Sequence, residues 1–250
     1  MKEKYDVPIA SEAEFVSYMM DQMASFGLPC TNQQAKDFYV YYVHMIETNK
    51  FLNLTGITDM QEVVVKHMID SLSCYDSAVM KPGSTLIDVG TGAGFPGIPL
   101  AIYDRTLQVT LFDSLKKRLT FLDAIIDTLN LTNCTTLHGR AEDLAHQSFR
   151  ESFDIATSRA VARLPILLEW TMPYVKVGGH MIALKGAIYE EEINESGKAL
   201  KTLNGEISDI KKINLPTLDD TRAVVYIKKT AKTPKIYPRK PKVIKDNPLV

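Results

Sequence analysis

The stretch LIDVGTGAGFPGIPLAI, Leu86 to Ile102, constrains the possible folds of this chain more than any other. It places Gly90, Gly92, Gly94 and Gly97 within eight residues, after an apolar run that reads as a strand and before one that reads as a helix. Glycines crowded into such a turn let the backbone wrap closely around a ligand. From Thr85 onward the same texture repeats. TLIDVG (85–90), QVTLFD (108–113), CTTLHG (134–139), FDIATSRA (153–160) and HMIALKG (180–186) read as strands separated by amphipathic segments. The clearest of these segments, 114–130, sets Leu115, Leu119, Leu122, Ile125, Ile126 and Leu129 on one face. EISDIKKINLP and RAVVYIKK read as a closing strand pair. This alternation predicts an α/β fold with a mostly parallel, doubly wound sheet and a ligand site at the carboxyl ends of its strands.

Residues 1–82 read differently, as helices closed off by Pro82-Gly83. Ser11 with Glu14 and Thr31 with Gln34 have capping-box spacing, and a third helix is expected over 60–79. The expected organisation is a helical cap (1–82), a ligand-binding domain (83–230) and a basic tail (231–250). Residues 226–250 carry a local charge of +7 against −8 for the remainder, hidden in a net charge of −1. The tail's Lys235, Arg239, Lys240 and Lys242, interleaved with Tyr237 and prolines, suit contact with nucleic-acid phosphates. Cys30, Cys74 and Cys134 are too scattered for a disulfide framework or zinc site. The first residues lack an apolar leader, and no apolar run is long enough to span a bilayer. A cytoplasmic monomer without a metal is the expectation.

Two cofactor classes use a glycine turn of this kind. Gly92-x-Gly94-x-x-Gly97 matches the dinucleotide fingerprint, and Asp113 follows at the distance of a ribose-binding acid, so spacing alone admits NAD. Three features favour S-adenosylmethionine. Asp88 falls at the strand's end, where a carboxylate suits an amino group and a sulfonium and would repel a pyrophosphate. Pro96 removes an amide donor from the helix opening. Phe95 adds an apolar ring beside the ligand. After the third strand, Ala141 and Glu142 in GRAEDL are placed to address an adenine edge.

The fourth strand ends in SRAVARLP, without the Asn/Asp-Pro-Pro-aromatic motif that holds a planar amine. Arg159 and Arg163 instead bring donors suited to the N7/O6 edge of guanine or to phosphate. Lys185, at the end of the fifth strand, adds a further cationic candidate. Attack by guanine N7 needs no deprotonation, which agrees with the lack of an obvious nucleophile or base set. His67 is a possible base, read more readily as a core histidine.

FLNLTGI, KHMIDSL, DVGTGAGFPG, LFDSLKKRLTFL, GRAE, SRAVARL, LKG and YPRKP, in this order, resemble the RsmG (GidB) family of bacterial 16S rRNA guanine-N7 methyltransferases. The resemblance implies a class I methyltransferase fold with an N-terminal helical cap and S-adenosylmethionine as donor. It also implies a guanosine in the 530 loop of small-subunit rRNA, free or in the subunit or its precursor, as acceptor. The family's cofactor pattern falls on Gly90, Phe95, Ala141, Glu142 and Arg159, with Asp113 at the ribose. Lys242 departs from the pattern, standing where the family tail commonly has glycine. An NAD-dependent oxidoreductase and a non-catalytic RNA-binding assembly factor are the competing readings.

Overall fold

The computed structural model describes residues 8–218 and 221–250, so the reading of the first seven residues lies outside it. Two capped helices open the described chain. Thr31 and Gln34 form the full reciprocal box of α2 (Asn32–Asn49), Gln34 N donating to Thr31 Oγ1 at 3.2 Å and Thr31 N to Gln34 Oε1 at 2.7 Å. At α1 (Glu12–Phe26) the cap consists of Glu14 N donating to Ser11 Oγ at 3.3 Å. Gly27 ends α1 with φ +83°, a conformation that glycine takes without a Cβ penalty.

The third helical region stops earlier than the expected 60–79. It runs as α3 (Met60–Val63), a π-helical turn (Val64–Ile69) and α4 (Asp70–Leu72). At its end Ser71 Oγ donates to His67 O and Ser73 Oγ to Asp70 O, both at 2.6 Å, side-chain bonds of the kind that compete with the helical ladder.

The remaining chain builds a seven-stranded sheet of β1 (Thr85–Val89), β2 (Gln108–Asp113), β3 (Cys134–His138), β4 (Phe153–Arg159), β5 (Val175–Lys185), β6 (Gly205–Ile213) and β7 (Arg222–Lys229). Its order is β3-β2-β1-β4-β5-β7-β6, with β7 antiparallel to both neighbours and the other pairs parallel. Around it lie α5 (Gly97–Tyr103), α6 (Lys116–Thr128), α7 (Ala141–Leu144), α8 (Leu164–Thr171), α9 (Tyr189–Glu195), α10 (Gly197–Leu203) and α11 (Pro241–Asp246). This is the doubly wound sheet expected from the strand–helix alternation, and the closing strand pair is β6–β7.

Alternating strand residues feed two cores. Leu86, Leu111 and Ile182 pack with Phe38, Tyr41, Ile98 and Leu122 of the helices on one face. Ile87, Val89 and Met181 pack with Leu164, Leu167 and Leu168 on the other. The helix after β2 begins later than expected and Leu115 is 52% exposed rather than inward. The cause is Asp113, whose Oδ1 accepts the Leu115 amide at 2.8 Å and holds that residue outside the helix. No helix of the described residues is long and apolar enough to cross a membrane.

Candidate functional site

The strand order reverses between β1 and β4, and a crevice opens at the carboxyl ends of strands flanking such a switch point. A cavity of about 750 Å³ lies there, walled by Gly90, Gly92, Phe95, Asp113, Ala141, Glu142 and Arg159 among others. Its size suits a nucleoside-bearing cofactor.

The four glycines divide by direction. Gly90 has φ +75°, and a Cβ there would lie 2.6 Å from Val161 Cγ2. Gly92 has φ +62°, and a Cβ would meet nothing closer than Gly90 O at 3.9 Å, so it would project into open space on the cavity wall. Gly94 and Gly97 face the protein. A Cβ on Gly94 would come within 2.8 Å of Ile98, Leu122 and the Tyr41 hydroxyl; one on Gly97 would press on Leu111 and on Asp88 Oδ2. Gly94, expected at the cofactor, is therefore a packing glycine. Tyr41 supports the turn from α2 by donating to Ala93 O at 2.6 Å, with its ring 5.5 Å from that of Phe95.

Asp88, also expected at the cofactor, is fully buried and serves the turn itself. Its Oδ2 accepts from Thr91 Oγ1 at 2.6 Å and from the Gly97 amide at 2.9 Å. Burial pushes its carboxyl up to about 6, against the opposing pull of those hydrogen bonds. Asp113 Oδ2 accepts the Gly92 amide at 3.0 Å and faces Arg118 Nη1 at 3.4 Å. Its oxygens retain lone pairs for hydroxyl groups of a ribose. The Gly92 amide that a pyrophosphate would need as a free donor is taken by the Asp113 carboxylate on the cavity wall, and the Gly97 amide is spent on buried Asp88. The residues present fit S-adenosylmethionine and not a dinucleotide.

Arg159, at the end of β4, joins the sheet to the π-helical turn. Its Nη1 donates to Lys66 O at 2.9 Å and to Asp70 Oδ2 at 2.7 Å, while its guanidinium sits 4.8 Å over the Phe95 ring. Asp70 Oδ1 also accepts from Arg222 Nη1 at 3.1 Å. The His67 ring stacks on Phe95 at 4.6 Å, and its Nε2 lies 2.7 Å from Thr55 Oγ1. The π-turn, an insertion that re-aims side chains and often accompanies functional sites, is what presents Lys66 O and His67 to this arginine. Burial first, then the Arg159 charge, drives the His67 imidazole down to about 3.

A neutral imidazole at this position makes a pH-dependent contribution to stability. The unfolded chain takes up this proton near pH 6.5 and the folded chain only near pH 3, so stability falls as pH drops through that window. Asp88 acts oppositely between 3.8 and about 6, where the folded state holds the extra proton and its contribution is lost as pH rises. His67→Gln should therefore show a smaller loss of stability than the wild type between about pH 6.5 and 4, read by urea unfolding at a series of pH values. An unchanged slope would assign the acid sensitivity elsewhere.

A second cavity, about 540 Å³, shares His67, Arg159, Ala160, Val161 and Ala162 with the first and adds Asp70, Lys185 and Arg222. Ala160 holds φ +56°, a strained backbone for a residue with a Cβ, at the partition between the two. Lys185 is buried in this second wall, 2.7 Å from Glu192 Oε2 and donating to Ala162 O at 2.7 Å. Arg163 lies outside both walls; Glu191 and Glu195 hold its guanidinium at 2.8 and 2.7 Å. Its expected part in orienting a base is not what this geometry provides. In the tail, Lys235, Lys240 and Lys242 are exposed, whereas Arg239 is committed to buried Glu169. Thr55, Asp70, Trp170, Ile244 and Lys245 were not marked by sequence reasoning, although Asp70 stands one turn after His67 in KHMIDSL.

Residues 34–222 match the family profile described as GidB, rRNA small subunit methyltransferase G. A ribosomal RNA small subunit methyltransferase G from Clostridium botulinum (strain Alaska E43 / Type E3) is 45% identical over 94% of this chain and 99% of its own length. One from Thermoanaerobacter sp. (strain X514) is 46% identical over 94% and 98%. Among solved structures, P. horikoshii TYW2 in complex with MeSAdo aligns with a TM-score of 0.51 at 15% identity, covering 64% of this chain and 61% of that one. The Methanococcus jannaschii fibrillarin pre-rRNA processing protein aligns with a TM-score of 0.50 at 16% identity, covering 65% and 74%. At such identities the likeness is one of fold, the class I methyltransferase fold.

Proposed function

We propose, from the premise that this chain belongs to the rRNA small subunit methyltransferase G (GidB) family, that it methylates N7 of a guanosine in the 530 loop of 16S rRNA. The observation that carries the reading is the pair of cavities meeting at Arg159–Ala162, one suited to the methyl donor and the other to an acceptor base. S-adenosylmethionine, when bound, supplies an electrophilic methyl group. Gly90 and Gly92 give the donor close backbone approach, and Asp113, Ala141 and Glu142 line its nucleoside end. Arg159, held by Lys66 O and Asp70, stands between donor and acceptor with its position fixed before either arrives. Guanine N7 offers its lone pair directly, so the wall needs to align and exclude water rather than remove a proton. His67, neutral and stacked on Phe95, fits such a wall. Lys185 and the part-exposed Arg222, paired with Glu192 and Asp70, join Lys66 and Arg159 on the acceptor side, a cationic excess that suits guanine O6 or a flanking phosphate.

Nucleoside mapping of 16S rRNA from a deletion strain, with and without the restored gene, tests the assignment. N7-methylguanosine in the 530 loop should vanish and return; unchanged methylation would remove this function. RNA docking is assigned to the exposed lysines of the tail. Replacing Lys235, Lys240 and Lys242 by glutamine should weaken binding of 16S rRNA and reduce the salt slope of log K by roughly 2 to 3, measured by filter binding. An unaltered slope would return these lysines to solvent.

A further inference from the structure

The C-terminal segment reaches the first cavity by a route that its charge does not explain. Arg150 threads its guanidinium among main-chain carbonyls, donating to Thr233 O at 2.7 Å, Tyr237 O at 2.9 Å and Pro234 O at 3.1 Å. A ring nitrogen of His146 lies 2.8 Å from Pro238 O. Arg239 then closes a two-pronged pair on Glu169 of α8, Nε to Oε1 at 2.9 Å and Nη2 to Oε2 at 2.7 Å, and its own amide donates to Oε1 at 2.8 Å. Glu169 has no solvent exposure, so this carboxylate depends on Arg239 for compensation. These anchors fix the start of α11 and set Pro241 and Ile244 against the cavity beside Ile166 and Trp170 of α8. Ile244 is 1% exposed, while Lys242 and Val243 on the same short helix face solvent.

We propose that α11 is a working wall of the cofactor cavity, in which buried Ile244 backs the apolar face that Ile166, Trp170 and Pro241 turn toward the donor's nucleoside, and the Arg239–Glu169 pair positions that face. A tail serving only rRNA phosphates has no use for a buried isoleucine held by three separate anchors. Ile166, Trp170 and Pro241, backed by Ile244, form an apolar patch that suits the flat face of a purine, and α8 packs against both α11 and α7, the helix of Ala141 and Glu142. Arg239 is in this view a positioning residue, and the tail divides its labour: the exposed lysines, Lys242 of α11 among them, face RNA, and the buried side of α11 faces the cofactor cavity. The inference rests on the S-adenosylmethionine reading of the cavity.

Calorimetric titration of S-adenosylhomocysteine into the full chain tests it without any turnover. Ile244→Asp should weaken binding about tenfold or more, Ile244→Val should stay near wild type, and both should keep the wild-type circular dichroism spectrum. Should Ile244→Asp misfold, Arg239→Ala serves: its affinity should drop, Arg239→Lys should recover part of it, and the KM for S-adenosylmethionine should rise with kcat at saturation preserved. Wild-type affinity in folded Ile244→Asp or in Arg239→Ala would overturn the role of α11 alone. A folded wild type that does not bind S-adenosylhomocysteine would overturn it together with the cofactor reading.

Discussion

Replacing Gly92 by valine should abolish binding of S-adenosylmethionine while leaving the chain folded. The residue sits at φ +62°, and a Cβ there would have no protein neighbour nearer than 3.9 Å, so the branched side chain would stand in the cavity where the donor must lie. The left-handed backbone adds about 1–2 kcal/mol of strain for a residue with a Cβ. That strain lowers stability in the free chain and the complex alike; the side chain in the donor's path is what should weaken binding, by at least about a hundredfold, equivalent to about 2.7 kcal/mol. Gly94→Val is the contrasting variant. Its Cβ would strike Ile98, Leu122 and Tyr41, so stability should fall first and binding only as a consequence. Calorimetry and thermal unfolding of both variants separate the cases. Near-normal affinity in Gly92→Val would mean that the donor does not pass along this turn.

The second large effect is expected at Asp70. This one buried carboxylate holds Arg159 by Oδ2 and Arg222 by Oδ1, and the three side chains are 6%, 14% and 25% exposed. Removing this anion by Asp70→Ala takes from the mostly buried Arg159 guanidinium its carboxylate partner, a change that typically costs about 3–5 kcal/mol. For a chain of this length the melting temperature should drop by on the order of 10 °C. Arg159 would also lose the partner that orients it over Phe95, so methyl transfer should fall even well below the new melting point. Glutamate would restore the charge and recover part of both properties. A melting temperature unchanged in Asp70→Ala would show that the two arginines need no common anion.

The sheet and its switch point were legible because both rest on local patterns: alternating strand and helix texture, and a glycine turn at the end of a strand. The direction of side chains was not. Asp88 and Gly94 lie within the motif, yet one braces the turn from inside and the other packs on Tyr41 and Leu122. Spacing places a residue in a loop but does not say which side of the backbone it takes. The partners of Arg159 were hidden for a different reason, since Asp70 lies 89 positions away and their meeting depends on how α4 docks on the sheet. Arg239 shows the same limit, and here a signal existed. Glu169 stands alone among apolar neighbours in LPILLEWT, and a lone acid in such a helix demands a buried cationic partner. The tail's net charge was readable, whereas the commitment of Arg239 to Glu169, beside lysines left exposed, required the folded chain.

The central claim, methyl transfer across the Arg159–Ala162 partition, is tested most directly by incubating the purified chain with methyl-labelled S-adenosylmethionine and small subunits from a deletion strain. Enzymatic digestion of the 16S rRNA then identifies the labelled nucleoside. The account predicts label in N7-methylguanosine from the 530 loop with the wild type and none with Gly92→Val. Label on another atom, or in another rRNA segment, would contradict it, as would rRNA that stays unlabelled while the folded chain binds it.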